Sequence, residues 1–470
     1  MRDRAAIVLD LGKTLSKLTL WAPGGRLLDR RSRRNERIEA QGYLGLDASG
    51  IERWLGETLA EFGHHRGDVD ALIPVAHGAA AALVGGNGLV QPPLDYEHPI
   101  PQAERHAYDT QREPFALTGS PALPDGLNLG AQLHFLEGLR GGPLPESVTL
   151  VPWAQYWSWM LSGVASSDLT NLGCHTDLWY PLAGTHSKLS IARKWAARLA
   201  PLVASDTVLG TLTPRWSKRT GLPPQTQVYC GLHDSNAALL AARAYPEIAG
   251  HEATVLSTGT WFVAMRTPSD AKALDIASLS ETRDCLVNVD ALGRPIPSAR
   301  FMGGREIEIL AGGKPVDVSE DQPALLRAVP EVLASGSMAL PTFAPGTGPF
   351  PDGPGRWISA PEDDTRRLAA ACLYAALVAD ASLDLIGAKD RLLIEGRFAR
   401  ADVFTRALAA LRPTTTCYVA HAESDVSFGA LRLLDPDLPP PSSLTRVTPL
   451  AQDLRTYRER WRQESLRAIR

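Results

Sequence analysis

The sequence predicts an α/β chain of two domains, each a mixed sheet covered by helices. Three observations predict it. The chain has 470 residues, too many for one ordinary core and comfortable for two. Strand-like and helix-like patterns alternate along most of its length. One device also occurs twice: an apolar strand, a polar residue, an x-Gly-x turn and a second apolar strand. Its copies are "IVLDLGKTLSKLTLW" (residues 7–21) and "EATVLSTGTWFVAM" (residues 252–265). Asp10-Leu11-Gly12-Lys13-Thr14 thereby corresponds to Ser257-Thr258-Gly259-Thr260-Trp261. The halves part near residues 245–250. This predicts domains at 1–246 and 247–440, with a tail, 441–470, packed on the body.

In the first half, residues 5–9, 17–21 and 26–34 read as three antiparallel strands, with Pro23-Gly24-Gly25 turning the second into the third. Ile51, Trp54, Leu55, Leu59 and Phe62 follow at helical spacing. Residues 68–77 form an apolar strand ending in His77-Gly78. A long stretch rich in Pro, Gly and His, about 85–145, reads as irregular, and such stretches often carry function. A strand at 228–232 then ends in His233-Asp234 and enters a small-residue helix at 235–244.

The second half opens with the repeated turn. A strand near 285–289 and a long helix at about 364–386 follow. Next come a strand at 391–394, the turn Glu395-Gly396, a helix at 401–411, a strand at 416–420 and a helix from about 424.

Composition excludes several classes. Hydrophobic residues make up 44% and charged residues 21%, a profile of a folded chain. A net charge of −4 gives no electrostatic footprint for nucleic acid. The cluster Arg30, Arg31, Arg33, Arg34 and Arg37 reads as a solvated edge. Five cysteines at long spacings, with no CxxC, indicate neither a disulfide framework nor a zinc site. The start enters a strand directly, and no apolar run reaches the ~18 residues of a membrane helix. The expected compartment is the cytoplasm.

Gly12-Lys13-Thr14 resembles the end of a P-loop, but Ile7 stands where the loop needs its first glycine, and a strand rather than a helix follows. What remains is a hairpin whose backbone N–H groups can approach an anion closely, with threonine hydroxyls as added donors. One such turn alone is an ordinary hairpin. Two, with Asp10 beside one, suit a triphosphate. Asp10 either holds Mg²⁺, largely through water, or accepts hydrogen bonds from its own turn. Asp234, at a helix start, is either a helix cap or a carboxylate able to take a hydroxyl proton during phosphoryl transfer. Gly396 either lets a flat adenine approach the backbone or makes a plain strand-to-helix turn. His233-Asp234 alone is a weak hint of a metal phosphohydrolase, and no HxxxH or HExxH spacing supports it.

These pieces, in this order, resemble the FGGY carbohydrate kinases of the actin/hexokinase/Hsp70-like superfamily. Asp10, Gly12, Thr14 and Lys17 fit that family's first phosphate motif, with Lys13 in place of a small hydroxyl residue. "CGLHDSNAAL" (residues 230–239) resembles its catalytic stretch. His233 and "LSTGTWF" resemble the L-rhamnulose and L-fuculose kinase branch, and His77-Gly78 resembles a sugar-contacting pair of the xylulose kinases. "TNLGCHTDLWYP" (residues 170–181) and "ESDVSFGAL" (residues 423–431) resemble further family segments. "IEGRFARADVF" departs from the pattern. It has one glycine followed by Arg397 and Phe398, where the family has two or three glycines and a Ser/Thr. That leaves the adenine contacts and the nucleotide preference open.

The resemblance implies two RNase H-like domains with a cleft between them. It implies a kinase moving the γ-phosphate of MgATP to a hydroxyl of a small sugar, a ketose or its relative. Asp234 would be the base and Asp10 the Mg²⁺ contact. Gly12, Lys13, Thr14, Lys17, Gly259, Thr260 and Gly396 would meet the nucleotide. His77, Gly78, His233 and Asn236 would line the sugar pocket, with Trp153 as a stacking surface. The expected partner is the sugar, with no nucleic acid and no membrane; a homodimer is compatible with this. Two rival readings are a non-catalytic sugar or nucleotide sensor on the same fold, and an actin- or Hsp70-like ATPase.

Overall fold

The computed structural model describes residues 5–62, 69–313, 321–420 and 426–469. Residue 68 of the expected strand and residues 423–425 of the "ESDVSFGAL" segment lie outside them. The chain divides into two compact units. The first holds residues 1–244, 287–295 and 425–440, and the second holds 245–286, 296–424 and 441–470.

In the first unit, Ala5–Leu11, Leu15–Trp21 and Leu27–Arg34 pair antiparallel in sequence. Val69–Ala76 and then Gln227–Tyr229 add parallel on the other side, and Val208–Thr211 closes that edge. Strand periodicity sends alternate residues to opposite faces. Ile7, Leu9 and Leu11 pack with Leu55 and Leu59 of the helix Ala48–Glu61 and with the aromatics of the helix Trp153–Ser162. Ala6 and Val8 pack on the other face with Ala237 and Ala241 of the helix Asp234–Ala242. Asp10 continues the Ala6–Val8 row, so it leaves the sheet on the face that carries this helix.

The arginine-rich strand Leu27–Arg34 is the outer edge and largely exposed, as its charge pattern predicts. Residues 425–440 join the first unit because Phe428 packs edge-on against Trp21 at 6.4 Å and Leu431 joins the same core. The expected strand at 228–232 is two pieces, Gln227–Tyr229 and Leu232–His233. Gly231 makes the break. It has φ +79°, and a Cβ there would stand 1.9 Å from the Pro74 carbonyl oxygen. The region read as irregular from 85 to 145 contains the helices Gln102–Asp109 and Leu129–Arg140. The second has Leu129, Leu133 and Leu136 on one buried stripe and ends at a left-handed Gly141.

The second unit repeats the plan. Ala253–Thr258 pairs antiparallel with Phe262–Thr267, which pairs antiparallel with Pro295–Phe301. Arg391–Gly396 and Thr416–Ala420 follow in parallel on the other side. Both sheets are thus RNase H-like mixed sheets covered by helices. Asp364–Leu385 has the length and composition to cross a membrane, but it is buried as a core helix. The C-terminal helix Arg455–Ile469 inserts Trp461 fully into the core, where Nε1 donates to the Ala339 carbonyl at 2.8 Å.

Candidate active site

Three strand ends of the first unit meet. The register pairs Asp10 with Val75, and Leu232 with the same Val75. His233 lies opposite Ala76, and the His77 amide donates to the Leu11 carbonyl at 3.4 Å. Asp10, His77 and His233-Asp234 therefore stand at the carboxyl ends of adjacent parallel strands, where open α/β sheets bind ligands.

Asp10 is 5% exposed, and Lys17 Nζ, its cross-strand neighbour, stands 3.1 Å from Oδ2. The Gly12 amide donates to Leu15 O at 3.1 Å, and Asn35 Nδ2 donates to Gly12 O at 2.7 Å, which braces the hairpin. Thr14 is exposed at its tip. Lys13 points elsewhere. Its ammonium pairs with the buried Asp95 and lies 5.0 Å from the centroid of the Tyr96 ring. Burial lowers its pKa, against the pull of Asp95.

His77 is buried, with Nδ1 2.7 Å from the Gly78 carbonyl oxygen and its ring edge-on to Tyr96 at 5.5 Å. Burial holds it below the ordinary imidazole range, although Gly78 and Asp234 pull upward. Tyr96 was not singled out in the sequence, since nothing but its place in the Pro- and His-rich stretch marks it. Burial, followed by the carboxylates of Asp234 and Asp95, raises its phenol to about 12.

His233, not Asp234, stands at the N-cap position of the helix, with Nδ1 3.1 Å from the Ser235 amide nitrogen. Asp234 is the first helical residue, and its Oδ1 accepts from the same amide at 2.6 Å. Its side chain keeps 30% exposure, so a substrate can reach it. His233 Nε2 lies 3.6 Å from Cys174 Sγ. Burial opposes charge on both groups. His175 and His233 nonetheless bring the thiol down to about 5, and Cys174 and Asp234 bring the imidazole up to about 9. Asn236 is 1% exposed, and both its amide oxygen and nitrogen lack a protein partner. Such a group calls for a water or a ligand hydroxyl.

Trp153 corrects the expectation placed on it. It is 1% exposed, stacked on Tyr156 at 5.3 Å and edge-on to Trp157 at 4.9 Å. Its ring is core, and no face is left for a sugar.

In the second unit, the Gly259 amide closes its hairpin on Trp261 O at 3.0 Å. A Cβ on Gly259 would meet nothing nearer than 3.7 Å, so space lies open over the turn. Thr260 is exposed beside it. Gly304, near the start of the helix Gly303–Leu310, packs so closely that its Cβ would stand 2.0 Å from Gly259 O. "MGGRE" thus brings a helix N-terminus to the turn, which the sequence reading missed. Gly396 has φ +82°, and its Cβ would stand 2.4 Å from Thr258 O. The sheet itself requires this glycine. Thr258 Oγ1 donates to Glu395 O at 2.5 Å and accepts from the Phe398 amide at 3.0 Å.

Among the described residues no group of three or more His, Cys, Asp or Glu could hold a metal ion. A lone carboxylate such as Asp10 does fit a Mg²⁺ delivered with a nucleotide, because Mg²⁺ keeps most of its waters and takes few protein ligands.

Residues 250–441 match the family described as carbohydrate kinase FGGY, C-terminal domain. No curated protein matches the chain. The crystal structure of a carbohydrate kinase from Novosphingobium aromaticivorans is similar at 56% identity and a TM-score of 0.93, over 98% of this chain and 100% of that one. A xylulose kinase from Rhodospirillum rubrum is similar in fold at 18% identity and a TM-score of 0.79, over 99% and 98%. Plasmodium falciparum glycerol kinase with ADP is similar in fold at 11% identity and a TM-score of 0.80, over 99% and 98%.

Proposed function

The chain belongs to the FGGY family of carbohydrate kinases, and from that premise we propose that Asp234 is the base with which it phosphorylates a small sugar, a ketose or its close relative. The observation that carries this reading is the meeting of Asp10, His77 and His233-Asp234 at adjacent strand ends.

Asp234 takes the proton of the sugar hydroxyl as its oxygen attacks the γ-phosphorus of ATP. The bond from that phosphorus to the bridging oxygen breaks, and ADP leaves. His77, Gly78, Tyr96 and Asn236 are the proposed sugar contacts. The exposure of Asp234 and the two unpartnered amide atoms of Asn236 support them. Gly12, Thr14, Lys17, Gly259 and Thr260 are the proposed phosphate contacts. Gly303 and Gly304 join them, since a helix N-terminus favours an anion. Mg²⁺, when bound beside Asp10, offsets charge on the phosphoryl oxygens. Lys17 orients the Asp10 carboxylate. The resemblance of His233 to the L-rhamnulose and L-fuculose kinases supports a ketose.

An ADP-release screen over ketoses, aldoses and polyols tests the proposal. Sugar-dependent, Mg²⁺-dependent ADP formation is expected. Binding of sugar and nucleotide without turnover across the panel would favour a sensor instead.

A further inference from the structure

His233 is held from four sides. Its backbone amide donates to Thr170 Oγ1 at 2.9 Å, and Thr170 Oγ1 in turn donates to the buried Asp168. Its ring lies against Gly78, where a Cβ would stand 2.4 Å from Nε2 and 2.6 Å from Cδ2. Nδ1 faces both the Ser235 amide at 3.1 Å and Asp234 Oδ1 at 3.3 Å. A neutral ring accepts from the amide there, and an imidazolium donates to the carboxylate. Nε2 faces a sulfur, Cys174 Sγ at 3.6 Å.

A buried ring nitrogen with no partner is costly. A flipped ring would set Cδ2 before the Ser235 amide and Cε1 before the sulfur, and so take both nitrogens off these partners. The Nε2–H···Sγ contact therefore selects one ring orientation, and that orientation decides what Asp234 meets. From this geometry we infer that Cys174 is a positioning residue: its sulfur accepts the Nε2–H of His233 and so fixes the ring at the helix N-cap position, where it flanks the Asp234 carboxylate. Cys174 touches neither sugar nor nucleotide in this account. The inference rests on the proposed role of Asp234. It adds that a buried cysteine sulfur, rather than a second carboxylate, orients the histidine beside the base, as the second partner of a catalytic or metal-bound histidine does elsewhere.

The test compares Cys174→Ala, Cys174→Ser and Asp234→Asn in the full chain. Steady-state kinetics with the sugar found active are read together with the ¹⁵N–¹H signal of His233 Nε2 in histidine-labelled protein. Cys174→Ala should lower kcat by about tenfold at unchanged KM, short of the ~10²-fold that a full 1 Å misplacement costs. It should also displace the Nε2–H signal. Cys174→Ser keeps an acceptor and should recover most of kcat, with the signal moved because oxygen replaces sulfur. Wild-type kcat in Cys174→Ala overturns the inference, whatever happens to thermal stability, because core filling alone predicts that result. Equal kcat loss in both cysteine variants also overturns it, since packing and not the acceptor would then matter. If Cys174→Ala does not fold, an unmoved Nε2–H signal in Cys174→Ser overturns it. Wild-type kcat in Asp234→Asn would instead remove the underlying reading, so the two failures are distinguishable.

Discussion

Gly78 and His233, 155 residues apart in the chain, are in direct contact: a Cβ on Gly78 would stand 2.4 Å from the imidazole Nε2. That distance is far below any real Cβ contact. The hydrogen at Gly78 is what lets the ring sit flush against the strand end. Gly78→Ala should push the ring off its Cys174 and Ser235 partners and disturb Asp234 behind it. A shift near 1 Å predicts a kcat lower by ~10²-fold with modest change in melting temperature. Kinetics beside a thermal melt checks this. Wild-type kcat would show that the ring can move without consequence.

Gly259 and Gly396 look alike in sequence, each closing a strand of the second unit, yet they differ in structure. Gly259 lies outside the left-handed region, with open space where a Cβ would go. Gly396 has φ +82° and stands against Thr258 O. Gly259→Val should therefore fold normally and weaken nucleotide binding while sparing sugar binding. Gly396→Ala should destabilise the protein by about 1–3 kcal/mol through backbone strain. Calorimetric titration of each ligand and denaturant unfolding separate the two. Equal loss of both affinities in Gly259→Val would make that turn structural.

Stability should fall in mild acid. Burial holds His77, His98, His134 and His186 below the ordinary imidazole value of 6.5. The unfolded chain takes up their protons near that pH, and the folded chain does so only lower. Their contribution is complete above about 6.5 and is lost as pH falls through the window beneath it. His233 opposes them. Against its burial, Cys174 and Asp234 raise it to about 9, and its contribution is lost as pH climbs through that value. Melting temperatures across pH 5 to 10 check both limbs. Flat behaviour below 6.5 would contradict the lowered imidazole values of these rings.

Much of the fold was legible because it rests on local pattern. The Asp10 hairpin and its Ser257 counterpart were readable from alternation around a glycine, as was the strand that delivers His77. What could not be read depends on contacts distant in sequence. Nothing local tells that Gly78 meets His233, or that Tyr96 packs beside His77. Trp153 misled because an aromatic near a predicted pocket looks like a sugar platform, whereas Tyr156 and Trp157 bury its faces. Lys13, at a phosphate turn by pattern, is claimed by Asp95 from a loop 82 residues later. The helix Leu129–Arg140 was missed inside the stretch read as irregular, although its leucines stand at helical spacing with Gly141 after it, because proline and glycine around it hid the period. Gly303-Gly304 carries no signal until Gly259 is seen against it.

The central claim is that Asp234 takes the proton from the sugar hydroxyl. Its structure sharpens the test, because His233, not Asp234, holds the N-cap position, and Asn at position 234 can still accept from the Ser235 amide as Asp234 Oδ1 does. Asp234→Asn should thus keep its melting temperature and both ligand affinities while losing the proton acceptor, so the loss appears in the transition state. A positioned base is worth ~10²–10⁴ in rate, or roughly 3–5 kcal/mol of barrier. The measurement is kcat of Asp234→Asn at saturating sugar and MgATP. A fall of about 10² or more with the affinities intact is the predicted result, and a wild-type kcat would contradict the account.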